Sequence, residues 1–325
     1  MTFGTDWGWG ADRAECQKLF AAFVEAGGNF IDTANNYTNG SSETIVGELI
    51  AADRERFVVA TKYTLRMDNG NEANFNEGGN SRKALRASVE ASLRRLKSEY
   101  IDLLYLHMWD FTTPIAEVMR GLDDLVHSGK VLYIGFSDTP SWVLSYAIGL
   151  AERYGWARPV VTQLPYSLLD RAAERDVIPM AKAFDLAVCT WGVLEGGALT
   201  GKYNQTSDEA KRYKGASDSE KAAATVVMAL AQEIGRTPAQ IAINWVRQQA
   251  SHLIPILGAR RATQLQDNLG AYDFTLTDEQ LARLNQVSNF QLGFPLGFLT
   301  NDHVRGLIFG KTFAQIDNQR NIVGR

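Results

Sequence analysis

Cysteine is nearly absent: the chain of 325 residues has two, Cys16 and Cys189. They are too few and too far apart for a disulfide framework, which points to a reducing compartment. Histidine is scarce as well, four residues with no HExxH or CxxC spacing among them, so no metal site is expected. There is no excess of positive charge, since 33 Lys and Arg against 37 Asp and Glu leave a net charge of −4. That removes the electrostatic case for nucleic acid or an anionic membrane as partner. No apolar run reaches transmembrane length, and the first residues lack the basic and then hydrophobic profile of a signal peptide. Pro/Gly/Ser-rich linkers and solenoid repeats are also missing, so residues 1–325 read as one domain. What is there is ordinary for a soluble, cytoplasmic protein with a sizeable core: 45% hydrophobic and 22% charged residues.

The chain alternates short apolar runs with longer amphipathic segments. The runs are "NFID" (29–32), "FVVAT" (57–61), "IDLLYLH" (101–107), "VLYIGFS" (131–137), "VVTQL" (160–164), "LAVCTW" (186–191) and "HLIPI" (252–256). They are continuous rather than alternating, as parallel strands buried on both faces are. Between them, residues 12–26, 82–97 and 114–128 have helical spacing, the first ending at Gly27-Gly28 and the last running from Pro114 to Gly129. Seven βα units, with "MTFG" at 1–4 as the end of another strand, predict an α/β fold, a (β/α)8 barrel whose first strand is truncated. Three irregular stretches, 64–81, 192–217 and 290–325, stand apart, and the last is expected to cover the mouth or pack on the barrel.

In such a barrel the chemistry sits at the C-terminal ends of the strands. Reading those ends gives Asp32 with Tyr37 after it, Lys62, His107, Ser137 with Asp138, Gln163 with Tyr166, and Trp191. Each has a plain structural alternative: Asp32 a helix cap, Lys62 a solvated loop residue, His107 a core group, Tyr37 a packed ring. Jointly those alternatives weaken, because four groups able to form one proton-transfer network occupy equivalent places on successive strands. A tyrosine of ordinary pKa, about 10, exchanges protons poorly near neutrality. A neighbouring ammonium is expected to lower that value, with Asp32 holding Lys62 and His107 orienting a carbonyl. The set suits protonation of a developing alkoxide, so the hydride must come from a cofactor.

Two segments suit its phosphates. "WGVLEGGALTGKY" (191–203) places glycines where backbone amides can approach a pyrophosphate, with Lys202 as counter-charge. "IPILGARRATQLQDN" (254–268) runs from a strand through Gly258 and two arginines into a helix with Gln264 and Asn268. A solvated arginine pair is the plain alternative. The GxGxxG fingerprint of a doubly wound dinucleotide fold is absent, so a dinucleotide would be held differently.

In "GGNFIDTANNY", "VVATK", "SLRRLKSEYIDLLYLHMWD", "YIGFSD", "QLPYSLLDR", "LTGKY" and "IPILGARRATQLQDNLGA", the chain resembles the aldo-keto reductases over nearly its whole length. "GFSDTPSWV" is most similar to the branch with aryl-alcohol dehydrogenase-like members. The resemblance implies reduction of aldehydes or ketones with NADPH, less often NADH, and reversible oxidation of the alcohols. It places the catalytic tetrad on Asp32, Tyr37, Lys62 and His107, with Tyr37 as general acid. It further implies that Ser137, Asp138 and Gln163 hold the carboxamide and that Tyr166 stacks on the nicotinamide. The 191–202 loop (Trp191, Gly192, Leu194, Gly197, Lys202) would cover the pyrophosphate, and Gly258, Arg260, Gln264 and Asn268 would bind the adenosine end. Trp7, Tyr63 and Trp109 are candidate substrate contacts, favouring a flat or aromatic carbonyl.

The chain departs from the pattern at Asp138, where many members have Asn, and at Gly192-Val193 in place of Ser-Pro. Glu195 adds an acid to the loop expected over the pyrophosphate, and the start is short. The last two features favour a second reading, a nicotinamide-binding regulatory or scaffold barrel. A third reading, an isomerase or lyase with Lys62 as Schiff base, is weaker.

Overall fold

The computed structural model describes residues 1–67, 74–204, 215–288 and 290–317. Of the three irregular stretches named above, residues 68–73, 205–214 and 318–325 lie outside the described residues. The chain divides into two compact units, Met1–Leu164 with Pro255–Thr275, and Pro165–Ile254 with Leu276–Arg325.

The first unit is built on β1 (Phe30–Asp32), β2 (Val58–Tyr63), β3 (Ile101–Leu106), β4 (Val131–Ser137) and β5 (Pro159–Pro165, whose last residue opens the second unit). They pair in parallel and in chain order. In β3 every residue except Asp102 is buried, as expected of a strand covered on both faces. Five helices interleave with them: α1 (Arg13–Glu25), α2 (Ser41–Ile50), α3 (Arg82–Leu96), α4 (Ile115–His127) and α5 (Ser141–Tyr154). Their ends follow the polar signals in the sequence. Asp12 caps α1 through the Glu15 N–H and Ser81 caps α3 through that of Ala84. Pro114 precedes α4, and Gly129 follows it with a left-handed φ of 73°.

The second unit carries α6 (Val177–Ala183), β6 (Ala187–Trp191), α7 (Asp218–Ile234), α8 (Pro238–Gln249) and most of β7 (Leu253–Pro255). Within it the Val188 N–H donates to the His252 carbonyl at 2.9 Å. The chain returns to the first unit for α9 (Ala262–Leu269), where Cys16, Leu19, Ile45 and Leu265 share a core cluster. The Glu15 carboxylate accepts the Ala262 N–H there at 2.7 Å. It ends in the second unit with α10 (Asp278–Val287), α11 (Leu296–Leu299) and α12 (Asp302–Phe309).

All seven apolar runs are strands, and all three named amphipathic segments are helices. Residues 1–4 differ from expectation: instead of a strand end, Phe3 forms an isolated bridge to Ala11. The Gly4 N–H donates to the Ala11 carbonyl at 2.9 Å and the Ala11 N–H to that of Thr2 at 2.8 Å, closing a loop that displays Trp7 and Trp9. Gly10 makes this closure possible, because a Cβ there would lie 2.1 Å from the Gly4 carbonyl oxygen.

Candidate active site

Strand register brings the polar residues to one face. Asp32 pairs with Ala60, Lys62 with Tyr105, Tyr105 with Gly135, and Ser137 with Gln163. Laterally paired residues point the same way, and so do residues two apart on a strand. Asp32, Lys62, Ser137 and Gln163 therefore share a face, and the alternation carries on to His107, one residue beyond β3. Tyr63 falls on the other face and is fully buried. Its phenol is pushed far up by that burial and by the Asp110 charge.

Lys62 is 0% exposed and donates to the Asp32 carboxylate at 2.5 Å and to the Thr33 carbonyl at 2.8 Å. Burial works against its charge, yet the Asp32 carboxylate and the bonds to Asp32 and Tyr37 hold its pKa above the ordinary lysine value. Removing one partner from so buried a pair costs about 3–5 kcal/mol. The second Asp32 oxygen accepts from Gln163 Nε2 at 2.8 Å. Nothing in the sequence announces that bond, through which the amide of Gln163, expected to hold a carboxamide, also steadies the carboxylate that holds Lys62.

Tyr37 enters from the turn between β1 and α2. Thr38, Asn39 and Gly40 all have positive φ, 46°, 50° and 88°, and this run of left-handed residues folds the chain back over the strand ends. Thr38 Oγ1 donates to the Phe3 carbonyl at 2.8 Å, tying the turn to the N-terminal loop. Lys62 Nζ then lies 4.9 Å from the centre of the Tyr37 ring. The sequence reading expected the ammonium to lower the Tyr37 pKa. Instead the pKa is raised, because burial, with the Asp32 charge adding to it, outweighs the pull of Lys62. Tyr37 is therefore a protonated phenol at neutral pH.

His107 packs edge-on against Tyr37, with ring centroids 5.8 Å apart and planes at 77°. Burial and the Lys62 charge, with a smaller contribution from the chain's amino terminus, bring its pKa down to about 3. It is thus a neutral imidazole, and its buried Nδ1 has no hydrogen-bond partner among the described residues. The set consists of a phenol with a proton to give, a fixed ammonium behind it, and a neutral imidazole able to hydrogen-bond an oxygen without adding charge. Such groups can exchange a proton with an oxygen but hold no hydride, so the arrangement fits a nicotinamide reductant as co-reactant.

The other expected cofactor residues divide between the two units. In the first, Ser137 is buried, and Asp138 has a φ of 40° and donates its N–H to the Gln163 carbonyl at 3.0 Å. At Gly258 a Cβ would meet only Thr2 Cγ2, at 3.8 Å, leaving open space. The Gln264 side chain accepts the Arg260 N–H at 3.1 Å at the start of α9, and Asn268 is buried. In the second unit, the Tyr166 ring is buried against Trp245, 5.5 Å away and tilted by 26°, and its hydroxyl donates to Glu174 at 2.8 Å. Trp191 is exposed, with Leu194 half-buried beyond it. Gly192 and Gly197 have φ of 75° and 94°, and a Cβ on Gly197 would lie 2.6 Å from Lys202 Nζ. Lys202 thus folds over the glycine loop. Glu195 accepts from Ser167 Oγ at 2.5 Å, and burial raises its carboxyl pKa, so the acid in this loop is engaged by a neighbour.

Trp7 lies edge-on to Tyr37 at 6.3 Å, while Trp109 meets Phe111 at 6.4 Å. A buried cluster that the sequence did not announce lies beside β2. Glu43, at 0% exposure, accepts from Thr61 Oγ1 at 2.5 Å and from Arg95 Nε at 2.6 Å. Its position three residues into α2 looked like any first-turn acid. Of the two histidines read as structural, His127 Nδ1 contacts the Asp123 carbonyl at 3.1 Å, and His252, in the second unit, precedes β7.

A model of the aldo/keto reductase family matches residues 1–289. The chain is 38% identical to an aryl-alcohol dehydrogenase [NADP(+)] of Phanerodontia chrysosporium over 91% of this chain and 82% of that one. It is 37% identical to a norsolorinic acid reductase of Aspergillus flavus, over 92% and 79%. A probable aryl-alcohol dehydrogenase of Saccharomyces cerevisiae is also 37% identical, over 90% and 93%.

Proposed function

We propose, from the premise that this chain belongs to the aldo/keto reductase family, that it reduces aryl aldehydes or ketones to alcohols with NADPH. Membership makes it an NAD(P)H-dependent oxidoreductase of (β/α)8 barrel fold acting on small molecules. The rest of this reading rests on the first unit's cluster, and above all on the buried Asp32–Lys62–Tyr37 arrangement.

A bound reduced nicotinamide supplies the hydride. As the substrate oxygen gains negative charge, Tyr37 hands it the phenolic proton. Lys62, kept charged by Asp32, stabilises the phenolate that remains. His107, neutral above pH about 3, bonds the same oxygen and orients the carbonyl. Gln163 keeps Asp32 fixed, so the whole chain of charges stays in register. In alcohol oxidation the proton runs the other way through the same groups.

For the cofactor, Ser137, Asp138, Gly258, Arg260, Gln264 and Asn268 are the residues of the first unit proposed to hold it. Tyr166, Trp191, Gly192, Leu194, Gly197 and Lys202 of the second stand on the same resemblance. An NADP-dependent relative by name supports the phosphorylated cofactor, with NADH as an alternative donor. Relatives named for aryl alcohols, together with Trp7 beside Tyr37, support an aromatic substrate. Helices between all successive strands, two of them between β6 and β7, support one barrel domain, with 290–325 as its tail. A cytoplasmic setting accords with the two cysteines, and no helix among the described residues is long and apolar enough to cross a membrane.

Tyr37→Phe tests the reading. It is expected to bind NADPH as before and to lose turnover by about 10²–10⁴-fold, the usual contribution of a positioned acid. Turnover equal to the parent would remove Tyr37 from the role of proton donor. A parent protein that binds NADPH without oxidising it across a panel of aromatic aldehydes would be a regulatory barrel instead.

A further inference from the structure

Thr64 stands two residues beyond Lys62 with a φ of 96°, a conformation that β-branched residues very rarely adopt. Such strain persists only where the surroundings over-determine it, and it gathers at working sites. Here the surroundings do so from several sides. The Thr64 carbonyl accepts the Gly79 N–H at 2.9 Å. Its hydroxyl donates to Asn80 Oδ1 at 2.7 Å and accepts the backbone N–H of His107 at 3.2 Å. That N–H is shared with the Tyr63 carbonyl, also at 3.2 Å. Asn80 is wholly buried and uses its other side-chain atom too, donating Nδ2 to the Met108 carbonyl at 3.1 Å. Its main-chain N–H donates to Asp110 at 2.8 Å. Asp110 in turn accepts the N–H groups of Thr112 and Thr113 and the Thr113 hydroxyl.

The hydrogen bonds close a ring from Thr64 through Asn80 to Met108 and back through His107. The ring matters because of what the imidazole lacks. Among the described residues no hydrogen bond reaches His107 Nδ1, so where the imidazole sits depends on where packing and the main chain of His107 put it. We propose that Thr64 and Asn80 are positioning residues for the reaction: they fix the main chain at His107 and Met108 and so hold the imidazole in place beside Tyr37. The proposal rests on the roles given above to Tyr37 and His107. It also accounts for the strain, since relaxing Thr64 to an ordinary extended φ would swing its hydroxyl away from the His107 N–H.

Thr64→Val keeps the branched shape and removes the hydroxyl, while Thr64→Ser keeps the hydroxyl. With an aromatic aldehyde and NADPH, Thr64→Val is expected to lower kcat at least tenfold while KM and the NADPH dissociation constant stay within threefold. Thr64→Ser should stay within threefold of the parent in kcat. In the unliganded protein, amide hydrogen exchange at residues 107–110 should accelerate in Thr64→Val and not in Thr64→Ser. A Thr64→Val protein turning over within twofold of the parent, or a Thr64→Ser protein as slow as Thr64→Val, would overturn the proposal. If Thr64→Val does not fold, Asn80→Ser, which shortens the link to Met108, is expected to lower kcat in the same way, and parental kcat there overturns the proposal equally. Tyr37→Phe run alongside separates the two levels. Retained turnover in Tyr37→Phe overturns the proton-donor reading and this inference with it. An inactive Tyr37→Phe beside a fully active Thr64→Val overturns the positioning role alone.

Discussion

At the scale of single residues, burial decides more than neighbouring charge. Proximity of Lys62 to Tyr37 suggested an acidified phenol, and the residue types in the sequence supported nothing else. What the sequence could not show was that Tyr37 is 8% exposed, with Asp32 close by. Loss of water around the phenolate is the larger effect, so the phenol keeps its proton until something charged forms next to it. His107 carries the same lesson into stability. Its folded pKa is about 3, whereas an unfolded imidazole takes up a proton near 6.5. Between those values the unfolded chain binds more protons, so stability rises with pH and is lost on acidification through that window. The contribution of His107 should fall by about 1.4 kcal/mol for each pH unit below about 6.5. Denaturant unfolding of the parent and His107→Gln at pH 7, 6 and 5 reads this directly, and the parent should lose more. Equal losses would mean that His107 titrates normally. Measurements between pH 5 and 7 stay above the range where Asp110, held down to about 2 by its backbone donors, begins to contribute.

At the scale of elements, glycine has opposite meanings in two helices. Gly47 lies buried in α2, and a Cβ there would come within 2.5 Å of the Leu96 carbonyl oxygen at the end of α3. Gly149 in α5 is exposed, with nothing within 4 Å of such a Cβ. Gly47→Ala is expected to destabilise by about 1–3 kcal/mol through overpacking against rigid backbone, despite the better helix propensity of alanine. Gly149→Ala should stabilise by up to about 1 kcal/mol. Thermal or urea unfolding of both variants checks the pair, and a shared sign would refute the packing argument. Strands and helices themselves were legible, because apolar runs and caps are local signals. The connections were not. Nothing in "NYTNG" announces three successive left-handed residues, and nothing in "KYT" announces a threonine at φ 96°. Both conformations are imposed by partners distant in sequence: Phe3 for Thr38, Asn80 for Thr64.

For the molecule as a whole, the alternation of strands with helices was enough to name the fold class. Strand register then explains why Asp32, Lys62, Ser137 and Gln163 share a face. Less legible was the use made of the first eleven residues. Residues 1–4 read as a strand remnant; instead the segment forms a closed loop, held at Phe3, Gly4 and Ala11, that braces the turn bearing Tyr37. Deleting residues 1–4 removes the acceptor of the Thr38 hydroxyl. It is expected to slow turnover several-fold while NADPH binding persists, as fluorescence titration beside steady-state kinetics would show. An unchanged kcat would mean that the turn stands without its brace.

The same tie has a practical side. Thr38 is bonded to Phe3, and Phe3 is held in turn by the loop closed at Ala11. A change anywhere in that loop therefore reaches the tyrosine without touching Asp32, Lys62 or His107. For anyone engineering this protein, residues 1–11 belong to its kinetics.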